Sequence, residues 1–247
     1  MNFLSLFKRN ILYKIKKKIN IDSHEVEKKE LDELFYYYGS DKANIFKKTQ
    51  AKGHGFSKFY SLHLNQLKDR KINILEIGSY AGASASAFAK YFTKSTIYCF
   101  DVNISKFKYF SEKIKVYGLD INNKDKLNKI LNKIKIDNNL EFFDIIIDDG
   151  SHYLSDILIS IKTFFKYLKK NGIYVIEDYK HPNYYAYNRN VKDILVDELL
   201  RNLSKNQFSN SNILNYDDQK YLLKEIKKIN IYKGNLKDSD ICFIEKN

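Results

Sequence analysis

Long apolar runs, cysteines and acidic charge are what this 247-residue sequence has least of, and each shortage excludes something. No stretch approaches the roughly 18 consecutive apolar residues that a membrane-crossing helix needs. The two cysteines, Cys99 and Cys242, each sit inside an apolar run of strand type, and neither has the spacing of a metal ligand. Both read as buried core thiols, which fits a reducing, cytoplasmic compartment. Residues 1–20 mix Phe3, Leu4, Leu6, Phe7, Ile11, Leu12 and Ile15 with six basic side chains. They lack an uninterrupted apolar core and a small-residue cleavage site, which excludes a secretory signal. There is no internal repeat. Acidic residues number 30 against 43 Lys plus Arg, for a formal charge of +13. Such a surplus suits nucleic acid or an anionic membrane. Most of the lysines, however, lie in helical stretches such as residues 124–135 and 220–228, not in one stripe interleaved with aromatics. They read as solvated helix faces. No appended RNA-binding module is present, so no nucleic-acid partner is expected; a phosphorylated or nucleotide-linked small substrate would be drawn to this surface.

What remains is enough for a well-filled core, with 44% hydrophobic residues. Residues 1–35 read as a basic amphipathic arm, suited to a membrane surface, to packing on the domain or to a sister subunit. Within and after it come a charged linker at 22–29 and a helical stretch carrying Leu31, Leu34, Phe35 and Tyr38. Residues 36–247 read as one α/β domain. A further amphipathic helix covers 57–69, and from there strands and helices alternate. Short apolar runs at 72–77, 96–100, 115–119, 142–147 and 172–176 predict strands, with helices at 83–92, 123–135 and 152–169 between them. Helices at about 190–205 and 217–229 precede two runs, 229–233 and 239–245, spaced to pair as a hairpin. The pattern predicts a Rossmann-like, doubly wound, mostly parallel seven-stranded sheet with an antiparallel C-terminal hairpin and N-terminal helices.

The strand ends carry the chemistry. Glu76-Ile77-Gly78-Ser79-Tyr80-Ala81-Gly82 ends the first strand and opens a helix. Its glycines allow a sharp turn and close approach of a ligand to the backbone, although a bare strand-to-helix turn would also use them. Asp101 ends the next strand, where an acid can accept both ribose hydroxyls or can cap a helix. Together they favour an adenosine cofactor. Asp148-Asp149-Gly150-Ser151-His152 follows the fourth strand and Glu177-Asp178 the fifth. Parallel neighbours lie about 4.8 Å apart, so these carboxylates would crowd together and repel unless protons or a cation neutralised them. An all-carboxylate set points to Mg²⁺ or Mn²⁺ rather than Zn²⁺; the plainer alternative caps a helix with Asp149 and leaves Glu177 and Asp178 in a loop. His152, expected to begin a helix, would be kept neutral by the helix dipole and free to act as a base, or would be an ordinary loop histidine.

The glycine loop and strand-end acids resemble the class I S-adenosylmethionine-dependent methyltransferases over roughly residues 70–178. Four short motifs in order narrow the likeness: Gly39-Ser40-Asp41-Lys42, His54-Gly55-Phe56, Asp148-Asp149-Gly150-Ser151-His152 and Glu177-Asp178. This set resembles the metal-dependent sugar O-methyltransferases of macrolide tailoring and their relatives in bacterial surface-polysaccharide pathways. The resemblance implies that Ser40, Lys42, Glu76, Gly78, Ser79, Tyr80, Gly82, Asp101, Asp120 and Asp148 bind S-adenosylmethionine. It further implies that Asp149, Glu177 and Asp178 hold a divalent metal and that His152 is the general base. The sequence departs from the family where Leu119-Asp120-Ile121 replaces a Gly-Asp-Gln motif, which weakens the adenine contact. Residues 180–217, rich in Tyr and Asn, are expected to form an acceptor lid. The implied acceptor is a sugar, with a nucleotide-activated sugar of a capsule-type pathway (a heptose is one option) favoured by analogy. A phenol acceptor, an RNA substrate and a scaffold without chemistry are the alternatives. A homo-oligomer is compatible with all of these.

Overall fold

The computed structural model describes residues 3–23, 30–140 and 142–247, so most of the charged linker lies outside the described residues. The strands expected from the apolar runs all form: β1 (Ile72–Ile77), β2 (Ser95–Asp101), β3 (Ile114–Gly118), β4 (Phe143–Asp148), β5 (Leu168–Glu177), β6 (Ile226–Lys233) and β7 (Asp240–Lys246). They make one seven-stranded sheet in the order β6-β7-β5-β4-β1-β2-β3. Only β7 runs antiparallel to both of its neighbours, as a C-terminal hairpin requires. Among the described residues no helix is long and apolar enough to cross a membrane.

The chain divides into two compact units, one running as far as Leu140 and including Gly234–Leu236, the other holding the remainder. In the first, β1 and β2 pair in parallel with Ile74 opposite Ile97, and β2 and β3 pair with Ile97 opposite Ile114. Helix α1 (Phe3–Ile15) lies on this unit, followed by α2 (Leu31–Tyr38), α3 (Ser57–Leu64), α4 (Ala83–Tyr91) and α5 (Lys124–Asn138). A reciprocal pair of hydrogen bonds between Glu30 and Glu33 starts α2, and Gly39 ends it in the left-handed region at φ 79°. Its apolar stripe meets α4 edge to face, with the Phe35 and Phe88 rings 5.3 Å apart. Helix α5 buries Leu127, Leu131 and Ile134 and leaves Lys124, Lys129, Lys133 and Lys135 exposed, the solvated face its composition implied, while Lys126 turns in to the Gly118 carbonyl.

In the second unit, β4 and β5 pair in parallel with Ile145 opposite Ile173. The helices are α6 (Leu154–Phe164), the four-residue α7 (His181–Tyr184), α8 (Val196–Ser204) and α9 (Tyr216–Glu225). Three of the boundaries that differ from expectation have a clear local cause. First, β5 begins at Leu168 rather than at 172, because Leu168 pairs with Phe143 across a register irregularity where Asn171 adopts φ 59°. Second, α8 begins at Val196, since the Asp193 carboxylate accepts from the Asn212 and Ile213 N–H groups and holds the preceding chain in a loop. Third, β6 takes over at Ile226, four residues before α9 was expected to end, because pairing with β7 overrides the helical pattern of Ile226–Ile229. Cys99 and Cys242 are buried, and burial pushes both thiols above their ordinary range.

Candidate active site

In the first unit the loop after β1 is held by its own backbone. The Gly78 N–H donates to the Phe100 carbonyl at 2.8 Å, and Gly78 and Gly82 take φ of 88° and 79°. Glycine is required at 82, because a Cβ there would come within 2.4 Å of the Phe107 ring. Tyr80, at φ 41°, donates its N–H to Asp101 Oδ2 at 2.8 Å. The Asn103 N–H donates to the other oxygen at 2.5 Å, so Asp101 ties the glycine loop to the end of β2. Glu76 is fully buried and accepts from the Ser84 hydroxyl, joining β1 to the first turn of α4.

A cavity of about 710 Å³ opens over this loop, and Ser40, Lys42, Gly78, Ser79, Tyr80 and Ser84 line it. The Gly39-Ser40-Asp41-Lys42 segment reaches it through a fixed turn. The Ser40 N–H donates to the Phe35 carbonyl at 2.8 Å, and the Lys42 carbonyl accepts from Phe56 N–H at 2.9 Å. The second of these bonds explains why the two N-terminal motifs travel together: His54-Gly55-Phe56 folds back on residues 41–43. Five further lysines, Lys16, Lys47, Lys48, Lys106 and Lys108, line the cavity, against Asp41 as its acid. Glu76 and Gly82 support the loop from beneath, and Asp101 and Asp120 stand outside the cavity's lining. Asp120 accepts from the Asn122 N–H at 3.0 Å and shapes the turn after β3.

In the second unit the structure brings together Asp149, His152 and Asp178, with one ligand atom from each all within 4.8 Å of one another. His152 Nε2 lies 3.7 Å from Asp149 Oδ1. His152 does not begin a helix, as the sequence suggested. It sits two residues before α6 at φ 58°, Tyr153 takes the N-cap place, and the Asn188 side chain donates to the His152 carbonyl at 3.1 Å. Asp178 is also left-handed, at φ 49°. Non-glycine residues in this region cost free energy and persist where the surroundings impose them. Glu177 is buried at the end of β5, opposite Ile241, and is not part of the three-residue group. Successive residues along an extended strand point to opposite faces, so adjacency in sequence does not bring Glu177 and Asp178 to one point.

Asp148, also buried, lies beside this group in sequence. Burial pushes its carboxyl up to about 7, against the lowering effects of a Ser160 hydrogen bond, His152 and the Gly150 N–H. The two buried or half-buried carboxylates, Asp149 and Asp178, offer the oxygen ligands a hard divalent cation takes, with the remaining positions left to water or substrate oxygens and the imidazole standing beside them.

Sequence reasoning missed His181. Its ring centroid is 4.7 Å from that of His152, and its Nε2 is 3.4 Å from Asp238 Oδ2. Its N–H donates to the Asp178 carbonyl at 2.9 Å. The available signal was its place three residues after the Glu-Asp pair. The aromatic cluster beyond it is also anchored: the Tyr184 hydroxyl donates to Asp240 at 2.8 Å and the Tyr185 hydroxyl to Asp238 at 3.0 Å. Residues 181–190 thus form one wall of this site, fastened to the segment that leads into β7.

Comparison with known proteins follows the same lines. The chain superposes on the mycinamycin-pathway methyltransferase MycE, solved with Mg and SAH, with a TM-score of 0.67 and 23% identity over 90% of this chain and 55% of that one. It has the class I methyltransferase fold. A second MycE structure, which also contains mycinamycin VI, gives a TM-score of 0.68 at 22% identity. In sequence, the chain is similar to the mycinamicin VI 2''-O-methyltransferase of Micromonospora griseorubida, 28% identical over 51% of this chain and 31% of the relative. It is also similar to the L-olivosyl-oleandolide 3-O-methyltransferase of Streptomyces antibioticus, 30% identical over 60% of this chain and 36% of the relative. The chain therefore spans only part of these proteins, about half of the MycE chain and about a third of the curated relatives. No family model matches it.

Proposed function

We propose that the protein is a divalent-metal-dependent O-methyltransferase that moves a methyl group from S-adenosylmethionine to a sugar hydroxyl. The carrying observation is the convergence of Asp149, His152 and Asp178, two of them in left-handed backbone conformations. Sugar O-methyltransferases among the similar proteins support the acceptor class. The +13 formal charge of the chain supports an acceptor with an anionic group, such as a nucleotide-activated sugar of a surface-polysaccharide pathway.

The cavity over the glycine loop would hold the methyl donor, with Ser40, Lys42, Ser79 and Tyr80 at its walls. Asp149 and Asp178 would hold the cation, which when bound lowers the pKa of an acceptor hydroxyl and fixes its orientation. His152 removes the hydroxyl proton, and Asp149, 3.7 Å away, stabilises the imidazolium that results. The acceptor oxygen forms its bond to the methyl carbon as the carbon–sulfur bond breaks, and the electron pair stays on the thioether product. His181, packed on His152 and held by Asp238, keeps the imidazole in place.

The test is transfer of labelled methyl to a panel of nucleotide sugars, with and without a chelator. Transfer that stops on chelation and returns with Mg²⁺ or Mn²⁺ supports the proposal. Full activity of an Asp149→Ala variant in chelator would overturn the metal assignment.

A further inference from the structure

Helix α1 has two working faces, and the protein uses one of them. On the inner face Leu6 is buried, the Asn10 carboxamide approaches the Gly118 carbonyl at 3.5 Å, and the Tyr13 and Phe107 rings meet edge to face at 6.3 Å. Arg9 donates to the Val102 carbonyl at 3.1 Å, and Lys16 to the Ser105 carbonyl at 3.1 Å. The seat is close: a Cβ at Gly118 would fall 2.6 Å from the Asn10 side chain. The helix is therefore a fixed part of the first unit, and its orientation is set.

The opposite face is apolar and exposed. Leu4, Phe7, Ile11 and Ile15, three or four residues apart, form one stripe, and Leu4 and Ile15 are 70% and 75% exposed. Leu12 widens it on one side. At 100° per residue, Lys8 and Lys14 fall on the two flanks of the stripe, and both are exposed, as is Lys17 just beyond the helix. No acidic residue lies anywhere in α1. Apolar surface held outward on a helix already docked by its other face contributes nothing to the fold.

We infer that α1 is a monotopic membrane-docking element that presses its Leu4-Phe7-Ile11-Ile15 stripe into the surface of an anionic bilayer. Flanking lysines would then lie at the level of the phosphates, and the +13 formal charge of the chain adds long-range attraction to the same surface. A second copy of the chain suits the face less well. A two-fold interface is self-complementary, so an acid-free stripe flanked by lysines would face lysines again.

The experiment is co-sedimentation of the full chain with vesicles of phosphatidylcholine alone and of phosphatidylcholine mixed with phosphatidylglycerol. Circular dichroism confirms that each variant is folded, and light scattering gives its mass. Binding is expected only to the anionic vesicles and should weaken with salt. Lys8→Gln with Lys14→Gln should weaken it about 30-fold, at about five-fold per removed charge. Phe7→Glu with Ile11→Glu should weaken it by about 100-fold or more while the fold is unchanged. Failure of the wild-type chain to sediment with anionic vesicles would overturn the inference. So would a wild-type dimer that the Phe7→Glu/Ile11→Glu variant splits into monomers, which would assign the stripe to a second copy.

Discussion

The loop after β1 and the loops after β4 and β5 meet the same backbone demand in different ways. Each must turn sharply at the carboxyl end of a parallel strand, and each does so with left-handed residues. In the first loop Gly78 and Gly82 supply most of that geometry, together with Tyr80. In the others His152 and Asp178 adopt it despite their Cβ atoms. Glycine makes the turn at little steric cost, whereas a non-glycine residue there costs roughly 1–2 kcal/mol. In the first loop glycine leaves room for the backbone turn and, at Gly82, for the Phe107 ring, whereas in the other two the left-handed turn sets where the His152 and Asp178 side chains lie.

Four substitutions would break or sharpen that contrast. The largest effect is expected at His152→Ala, which should lower turnover by about 10²- to 10⁴-fold, the usual contribution of general-base catalysis, while S-adenosylhomocysteine still binds in calorimetry. Next, Gly82→Ala should destabilise the fold by about 2–4 kcal/mol in urea titration, combining the clash with Phe107 and the unfavourable φ. Asp178→Asn should come third, raising the concentration of Mn²⁺ needed for half-maximal activity about ten-fold or more with little change in the cofactor's affinity. The smallest effect is the stability change in His152→Gly. That variant should lose turnover as His152→Ala does, yet be no less stable than the wild type, and up to about 1 kcal/mol more stable, because φ 58° suits glycine. A marked loss of stability in His152→Gly would mean that the turn is held by the imidazole's contacts and is not strained.

Much of this was legible in the sequence because apolar runs end on the residues that matter. Gly78, Asp101, Asp148 and Glu177 each close or follow such a run, and parallel strands leave their carboxyl ends on one side of a sheet. The turn after β1 could therefore be read from local pattern, and the structure shows left-handed glycines there with a cavity over them, while Asp101 ties the loop to β2 from outside that cavity's lining. The Asp149-His152-Asp178 group was legible only in part. Counting acids included Glu177, but whether a carboxylate reaches the group depends on strand alternation and on the left-handed turn at Asp178. His152 was expected to begin a helix, but it takes the left-handed φ of 58° and the helix starts at Leu154. His181 had one local signal, its place three residues after the Glu-Asp pair, but its packing on His152 and its Asp238 partner, 57 positions further along the chain, come only from the fold. Helix α1 shows the same division: its amphipathic period was plain, but which face the protein covers was set by Asn10 against Gly118 and Tyr13 against Phe107.

Calorimetric titration of the chelator-treated chain with S-adenosylhomocysteine, then with Mn²⁺, tests the account most directly. It predicts that the wild-type chain binds both, one site each, and that Asp149→Asn and Asp178→Asn bind the nucleoside as before but the metal about ten-fold or more weakly. Metal binding that is equally strong in both variants would contradict the assignment of the Asp149-His152-Asp178 group, and failure to bind the nucleoside would contradict the methyltransferase reading itself.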